Sequence, residues 1–182
     1  MRHAPPAGLL LSWRFDAPFE TRMHNPRTGI LFVCLGNVCR SPMAECVAIQ
    51  MLKGTGKGSQ MRVASRGTAA FNAGKPMDPR AVHALRAHGY DPEPHAAAQI
   101  SDSDFCEFGQ IIAMDRSNLH TLTPWRPPRF AGQIRLLPTT SGAGGVEVPD
   151  PFYGDASQFG RALVLIENGV SVLLGELLAP PV

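Results

Sequence analysis

From residue 29 onward, short continuous apolar runs alternate with longer segments that have helical character. Short runs of β-forming apolar residues are typical of buried strands, whereas longer segments with apolar residues three and four apart are typical of helices. The pattern predicts strands at residues 30–34, 60–65, 110–114 and 133–137. It predicts helices at residues 42–53, 79–88, 116–122 and 155–178, with one short helical turn at 102–107.

This alternation predicts the α/β fold class: a single-domain, doubly wound sheet of about four parallel strands with helices on both faces. The length of 182 residues suits one domain, which we assign to residues 29–182. Residues 1–28 are rich in Pro, Arg and His and show no clear periodicity. We therefore expect them to form a poorly ordered N-terminal extension.

The charge distribution argues against a nucleic-acid partner. Of 17 basic and 15 acidic residues, four basic and two acidic ones precede residue 30, so the formal charge of +2 belongs to the extension and the remainder is neutral. Nucleic-acid binding normally requires a concentrated basic face. No segment approaches the roughly 20 apolar residues of a transmembrane helix, so we also expect no membrane partner.

The chain has four cysteines, at positions 34, 39, 46 and 106. A chain of this size and apolar content does not need disulfides, so we expect free thiols and a cytoplasmic location. The first three cysteines are spaced by five and seven residues, unlike the roughly two- to four-residue spacing of common zinc sites. We therefore predict no metal site, and we take Cys46 and Cys106 as structural.

The most informative segment, residues 34–41, reads CLGNVCRS and directly follows the first predicted strand. Pro42, as a first helical residue, would place this segment at a helix N-terminus, where unpaired N–H groups and the helix dipole favour an oxyanion. The same surroundings favour a cysteine thiolate at Cys34. Arg40 adds a planar fork that matches two phosphate oxygens, and Ser41 can hydrogen-bond the sulfur. We therefore predict a phosphate-binding catalytic loop between the first strand and the first helix.

An isolated free cysteine is more often a small buried hydrophobic residue than a nucleophile. That alternative for Cys34 leaves its neighbours without an explanation, namely Gly36, Asn37, Arg40, Ser41 and Pro42. A cysteine nucleophile in phosphate chemistry also needs an acid that protonates the leaving oxygen. Asp150 is a candidate because it begins the segment DPFYGD, where a role as the first residue of a turn is compatible with catalysis. Asp155 is predicted to cap the last helix.

Five blocks of the chain resemble the low-molecular-weight protein tyrosine phosphatase family and follow that family's order. They are VCLGNVCRSPMAE at 33–45, SRGT at 65–68, DPRA at 78–81, AMDRSNL at 113–119 and DPFY at 150–153. The resemblance spans about residues 29–178, and the first 28 residues lie outside it. Membership implies the predicted fold and hydrolysis of phosphotyrosine in proteins, without a cofactor or metal.

The resemblance also implies roles for individual residues. Cys34 would attack phosphorus to form a cysteinyl-phosphate, Arg40 and the loop amides would hold the oxygens, and Asp150 would serve as general acid and then base. A supporting hydrogen-bond network is implied for Asn37, Ser41, Ser65 and His95. For His95, an ordinary surface histidine at a loop end is the alternative.

A phosphotyrosine ring requires a deep slot with apolar or aromatic walls. Phosphoserine is too short to carry its phosphate to the bottom of such a slot. The remaining phosphate-contact and wall candidates are Leu35, Gly36, Val38, Cys39, Phe71, Phe152 and Tyr153. Phe71 could equally be a core aromatic. In the family, a cysteine at the position of Cys39 can trap the nucleophile as a reversible disulfide, and the alternative is a small loop residue.

Two other functions compete with this interpretation. Thiol-dependent arsenate reductases share the fold and nucleophile loop, but they use additional cysteines late in the chain, where only Cys106 follows Cys46 here. A non-catalytic phosphotyrosine-binding module would lack the nucleophile or the acid, and neither is lost. We therefore expect a phosphatase that acts on phosphotyrosine-containing proteins as a monomer or weak dimer. Departures from the family pattern at Arg66, Ala98 and Phe152 leave its substrate preference open.

Overall fold

The computed structural model describes residues 29–56, 61–138 and 145–179. One parallel sheet runs through this part of the chain, with the strand order β2-β1-β3-β4. Its strands are β1 (Ile30–Cys34), β2 (Val63–Gly67), β3 (Gln110–Ala113) and β4 (Gln133–Leu136). The helices are α1 (Arg40–Gly54), α2 (Pro79–Ala87), α3 (Asp102–Glu107), α4 (Arg116–Trp125) and α5 (Ala156–Leu178). The predicted extension at residues 1–28 lies outside the described residues.

The central strand β1 separates two apolar cores. Ile30 and Phe32 pack with α1, α2 and α5 on one face, whereas Leu31 and Val33 pack with α3 and α4 on the other. All five residues of β1 are buried, which is why this strand is a continuous apolar run rather than an alternating one. Full burial of each large side chain contributes about 1.5–3 kcal/mol. The predicted doubly wound α/β sheet is confirmed.

The first helix begins earlier than its sequence pattern predicts. Arg40 is the first helical residue and Cys39 is the N-cap, so the prediction that Pro42 begins the helix is wrong. Pro42 still lies in the first turn, where its missing N–H leaves no intrahelical bond unmade. The consequence is that Arg40 and Ser41 belong to the helix N-terminus itself.

Strand β2 spans Val63–Gly67, so it begins after residues 61 and 62 and ends two residues beyond the predicted limit at residue 65. Residue 60, the predicted start, lies outside the described residues. Its limits follow from the parallel register with β1, in which Ile30 pairs with Val63 and Cys34 pairs with Gly67. A Cβ at Gly67 would lie 2.8 Å from the Leu35 carbonyl oxygen. Glycine therefore allows the end of β2 to meet the backbone that follows β1.

The long last helix begins where its predicted cap places it. Asp155 accepts hydrogen bonds from the backbone N–H groups of Ser157 and Gln158. The Ser157 hydroxyl, which also donates to Asp155, and then these backbone N–H groups hold the pKa of Asp155 below its ordinary value. Throughout the described ranges, no helix combines the length and apolar character needed to cross a membrane.

Candidate active site

A cavity of about 90 Å³ lies at the carboxyl end of β1. Parallel α/β sheets bind ligands at this end of their strands. Predicted site residues that line the cavity are Cys34, Leu35, Gly36, Val38, Cys39, Arg40, Phe71, Asp150, Phe152 and Tyr153, and Asn72 joins them. Asn37 and Ser41 are buried within the loop that forms its base. The structure thus brings together segments that are more than a hundred residues apart.

The Cys34 sulfur is held by its own loop. Cys34 is the last residue of β1 and is 3% exposed. Its Sγ accepts a hydrogen bond from the Asn37 backbone N–H at 3.3 Å and lies 3.0 Å from Ser41 Oγ. The single hydrogen of Ser41 can go to this sulfur or to the Arg66 carbonyl oxygen at 3.1 Å. Ser41 can therefore donate a hydrogen bond to the Cys34 sulfur.

Asn37 holds the loop in shape from a left-handed backbone conformation, with φ of 54°. Its side-chain amide donates to Ser41 Oγ at 3.0 Å and to Ser65 Oγ at 2.9 Å, and its Oδ1 accepts from the Ala98 N–H at 2.9 Å. His95 Nε2 donates to the Asn37 carbonyl oxygen at 2.8 Å. These bonds offset the cost of a conformation that residues other than glycine seldom adopt.

Glu45 extends this network and had no role assigned from the sequence. Ser65 Oγ donates to Glu45 Oε2 at 2.6 Å, which links β2 to α1 beneath the loop. Glu45 follows Ser41 by four residues, so both lie on the same face of α1. The four-residue spacing indicates that Glu45 lies near the loop. It does not indicate that β2 lies opposite this face of α1.

Arg40 is a buried cation between two carboxylates. Its side chain is 2% exposed, and its two terminal nitrogens lie 2.5 Å from Asp115 Oδ2 and 2.5 Å from Asp150 Oδ2. One of them also donates to the Val148 carbonyl oxygen at 3.0 Å. Burial opposes its charge, but Cys34, Asp150 and Asp115 together hold the pKa of Arg40 above its ordinary value. Arg40 Nε is buried and has no hydrogen-bond partner in the described residues.

Asp115 is the second site residue without a role assigned from the sequence. It caps α4, because its Oδ1 accepts from the Asn118 N–H at 2.6 Å while Oδ2 binds Arg40. Asp115 follows β3, which neighbours β1 in the sheet. Its position at a strand end and a helix cap was visible in the sequence, but its contact with Arg40 depends on the strand order.

Asp150 occupies a turn, as the sequence predicts, and its side chain is 40% exposed. Its Oδ1 accepts from the Phe152 N–H at 3.2 Å, while Oδ2 binds Arg40. A further bond from the Gly154 N–H to the Pro151 carbonyl oxygen, at 2.8 Å, closes the turn. We call residues 150–154 the acid loop. It presents a carboxyl group at the cavity from a locally hydrogen-bonded backbone.

The outer walls of the cavity are aromatic and open to solvent. Phe71 is 64% exposed, Phe152 is 41% exposed and Tyr153 is 98% exposed. The Phe152 and Tyr153 rings meet edge to face, with centroids 5.1 Å apart. Phe71 therefore lies at the cavity and not in the core. We call these three residues the aromatic rim.

Cys39 lines the same cavity as Cys34, and both are free thiols. Burial, followed by the nearby charges of Asp78, Cys34 and Asp150, raises the pKa of Cys39 to about 12. Cys39 is therefore a neutral thiol near pH 7.

A larger cavity, of about 200 Å³, lies next to the residues that precede β3 and β4. Its lining is mostly apolar and includes Phe105, Cys106, Phe108 and Phe130. This is the opposite end of the sheet from Cys34, because all strands run parallel. Cys106 is exposed there, whereas Cys46 is buried. No predicted catalytic residue reaches this second cavity.

The unusual Arg66 has a local explanation. Its guanidinium lies 3.3 Å from Asp104, whose side chain is 3% exposed. This pair ties β2 to α3 on the face opposite α1, and the Arg66 carbonyl oxygen remains an acceptor for Ser41. The long side chain therefore points away from the cavity, and only its backbone takes part in the loop network.

Comparison with known sequences gives consistent matches over nearly all of the described chain. Residues 29–180 match the model of the family described as low molecular weight phosphotyrosine protein phosphatase. Low molecular weight protein-tyrosine phosphatase A of Mycobacterium tuberculosis is 38% identical over 144 residues, which are 78% of this chain and 86% of that protein. The human low molecular weight phosphotyrosine protein phosphatase is 36% identical over 133 residues, covering 72% of this chain and 84% of that protein.

Solved structures match in the same way. A protein tyrosine phosphatase from Entamoeba histolytica, with Hepes in its active site, has a TM-score of 0.76 and 31% identity and covers 82% of this chain and 96% of that chain. Vibrio vulnificus Wzb in complex with benzylphosphonate has a TM-score of 0.71 and 27% identity and covers 82% and 99%, respectively. From residue 29 to residue 180, the chain belongs to the low-molecular-weight phosphotyrosine protein phosphatase family.

Proposed function

We propose that this protein hydrolyses phosphotyrosine in proteins through a cysteinyl-phosphate intermediate. The observation that carries the proposal is the convergence of three groups on one cavity. Cys34 Sγ lies at its base, the buried fork of Arg40 stands beside it, and Asp150 lies on the acid loop. A nucleophile, an anion clamp and a proton donor are the groups that phosphomonoester hydrolysis requires.

In the first step, the Cys34 thiolate attacks phosphorus, and the bond between phosphorus and the tyrosine oxygen breaks. Arg40 and the N–H groups at the start of α1 stabilise the charge on the phosphoryl oxygens. The buried Nε of Arg40 offers a donor that would otherwise remain unsatisfied. Asp150 transfers its proton to the departing phenolate oxygen, so that neutral tyrosine leaves.

In the second step, Asp150 is a carboxylate and accepts a proton from water, which attacks the cysteinyl-phosphate. The sulfur–phosphorus bond breaks, and Cys34 leaves as a thiolate. The Asn37 N–H and the Ser41 hydroxyl lie within hydrogen-bond distance of this sulfur, so they stabilise the departing anion. The same hydrogen-bond donors of the loop therefore act in both steps.

The aromatic rim supports an aryl phosphate as substrate. A tyrosine ring that passes between Phe71 and Phe152 carries its phosphate to the base of the cavity, whereas the shorter phosphoserine does not. Wzb, which shares the fold, binds benzylphosphonate, a molecule with a ring next to a phosphonate. This agrees with a phosphoprotein substrate whose tyrosine extends into the cavity.

We propose that the protein acts on phosphotyrosine-containing proteins as a monomer or weak dimer.

The positions of the cysteines favour a phosphatase over an arsenate reductase. A disulfide relay would need Cys106 to reach the phosphate loop, but it lies at the other end of the sheet.

We propose that Cys39 protects the nucleophile. After a peroxide oxidises Cys34 to a sulfenic acid, the Cys39 sulfur forms the disulfide and releases water. A reducing cytoplasm would return both thiols.

Residues 29–182 are proposed as the catalytic domain. The resemblance and the family model both begin at residue 29. Removal of residues 1–28 is therefore expected to leave kcat and KM for small aryl phosphates unchanged, which steady-state kinetics of the full and shortened chains would check.

The decisive experiment measures hydrolysis of para-nitrophenyl phosphate and of a phosphotyrosine peptide. We expect both reactions in the wild type, none in Cys34→Ser, and a loss of roughly 10²–10³ in Asp150→Ala. Rapid quenching followed by mass spectrometry should find phosphate on Cys34. Activity retained in Cys34→Ser would exclude the mechanism. Thioredoxin-dependent arsenate reduction without phosphatase activity would support the reductase instead.

A further inference from the structure

The acid loop is tied to the rest of the site by an arginine that lies outside the cavity. Arg80 is the second residue of α2. Its NH1 donates to the Gly154 carbonyl oxygen at 3.0 Å, and its NH2 donates to the Phe152 carbonyl oxygen at 3.0 Å. One guanidinium therefore holds two alternate carbonyl groups of the acid loop.

The guanidinium is itself fixed in place. Asp78 accepts from Arg80 Nε at 3.0 Å and from NH2 at 2.7 Å, so the pair is bidentate. The Phe159 ring of α5 lies under the guanidinium, 4.6 Å away. A planar fork with several donors can meet all of these partners at once, whereas the single ammonium group of lysine cannot.

Asp78 connects this arginine to the phosphate loop. The Asp78 N–H donates to the Val38 carbonyl oxygen at 2.8 Å. On the other side, the Phe152 N–H donates to Asp150 Oδ1 at 3.2 Å. A continuous path of hydrogen bonds thus leads from the phosphate loop through Asp78 and Arg80 to the Asp150 carboxyl group.

We propose that Arg80 is a positioning residue that holds the acid loop where Asp150 can protonate the leaving oxygen. The proposal rests on the proposed role of Asp150 as general acid. Arg80 does not line the cavity, so it acts through the backbone of Phe152 and Gly154 and not on the substrate. Asp150 is 40% exposed and its own turn bonds are local, so the two bonds from Arg80 tie the backbone of this turn to α2.

A purely structural role predicts a different result. If Arg80 only stabilises the fold, its loss lowers activity equally for all substrates. If Arg80 positions the acid, its removal lowers activity more for substrates whose leaving oxygen is more basic, because a good leaving group departs without a proton. Phenyl phosphate has a strongly basic leaving oxygen, whereas 2,4-dinitrophenyl phosphate has a weakly basic one.

The test compares kcat/KM for these two substrates in the full chain. In Arg80→Ala, we expect a loss of about tenfold or more for phenyl phosphate and of less than about twofold for the dinitrophenyl ester. Arg80→Lys keeps the charge without the fork, so the same pattern is expected, and this variant replaces Arg80→Ala if the latter does not fold. Arg135→Ala, which removes a surface ion pair with Glu176, is the matched control and should change neither value.

A second measurement repeats Arg80→Ala in the Asp150→Ala background. If the arginine acts through Asp150, the additional loss for phenyl phosphate should fall below about twofold. Equal losses for the two substrates, or a tenfold loss that persists without Asp150, would overturn the proposal. Failure of the wild type to hydrolyse either ester would instead refute the proposed function.

Discussion

The phosphate loop, residues 34–41, and the aromatic rim form one cavity but are built in opposite ways. The polar residues of the loop are buried: Asn37, Arg40 and Ser41 are at most 2% exposed. On the rim, Phe71 is 64% exposed and Tyr153 is 98% exposed. The loop residues are fixed by hydrogen bonds that solvent cannot replace, whereas the rim residues have few fixed partners. We therefore expect substitutions in the buried loop to affect the reaction most, and substitutions on the exposed rim to affect recognition of the substrate.

The difference has an energetic basis. A buried polar group that loses its partner costs about 1–3 kcal/mol, and more if it is charged. Substitution of an exposed side chain usually changes stability by less than about 0.5 kcal/mol. Substitutions in the loop should therefore have larger effects than substitutions on the rim.

The largest effect is expected for Arg40→Lys. Lysine has one ammonium group and cannot bind Asp115 while also offering a planar pair of donors to phosphate. We expect kcat/KM for para-nitrophenyl phosphate to fall by roughly 10²–10³. Steady-state kinetics would measure this, with Arg135→Lys as the control for the same exchange at the surface. Near wild-type activity in Arg40→Lys would show that the loop does not need a buried fork.

The next prediction concerns stability at alkaline pH. The pKa of Cys39 is raised from 9.0 to about 12 in the folded protein. Its contribution to stability is therefore complete below pH 9.0 and is lost as the pH rises toward 12, because only the unfolded state releases the proton in this range. Urea unfolding should show that the free energy of unfolding falls by a few kcal/mol between pH 8 and pH 11.

Cys39→Ser should reduce the slope of this fall. A remainder is expected, because burial also raises the pKa of Cys46 to about 11. If wild type and Cys39→Ser lose stability in parallel, the Cys39 thiol is not shielded as the structure indicates.

A smaller effect is expected for Asn37→Ala. The substitution removes three side-chain hydrogen bonds that hold the left-handed turn. We expect a loss of roughly 1–3 kcal/mol in the free energy of unfolding together with reduced kcat. Asn72→Ala provides a matched control, because Asn72 is also a buried asparagine at the cavity, but its side chain makes one long 3.4 Å bond to the Gly36 carbonyl oxygen of the loop and otherwise accepts from Lys75. Equal effects of the two substitutions would contradict the special role of Asn37.

The smallest effect is expected on the rim. Tyr153→Ser should leave the melting temperature and kcat for para-nitrophenyl phosphate unchanged, because the side chain is almost fully exposed. The KM for phosphotyrosine peptides should rise by a few fold and differ among peptides. A large loss of kcat would mean that the rim takes part in chemistry, and the contrast between the two halves would fail.

The fold and most of the loop could be predicted because the signals are local. The apolar run of β1 and the following CLGNVCRS segment predict a strand, a turn and a helix start without reference to any other part of the chain, and the structure has these elements in this order. The limits of β2 could not be predicted in the same way, since the pairing of Val63 with Ile30 determines them.

The supporting residues were harder to predict because their roles depend on which strands are neighbours. Asp115 reaches Arg40 only because β3 lies beside β1, and Glu45 reaches Ser65 only because β2 lies beside α1. Both residues were part of the blocks that resemble the family. Their chemistry follows from the packing of elements and not from their sequence neighbours.

The ion pair between Arg40 and Asp150 means that a phosphate group would compete with the Asp150 carboxylate for the same guanidinium. A phosphate group that binds Nε and NH2 of Arg40 would have to displace the Asp150 carboxylate from NH2, whereas Asp115 could stay bound to NH1. The affinity for phosphate would then depend on the difference between two anions that compete for one cation, and this competition would weaken binding of the inorganic phosphate product. In the proposed reaction, the same displacement would free the Asp150 carboxyl group only when a phosphate has arrived, so that Asp150 would then take up a proton from solvent and transfer it to the leaving oxygen.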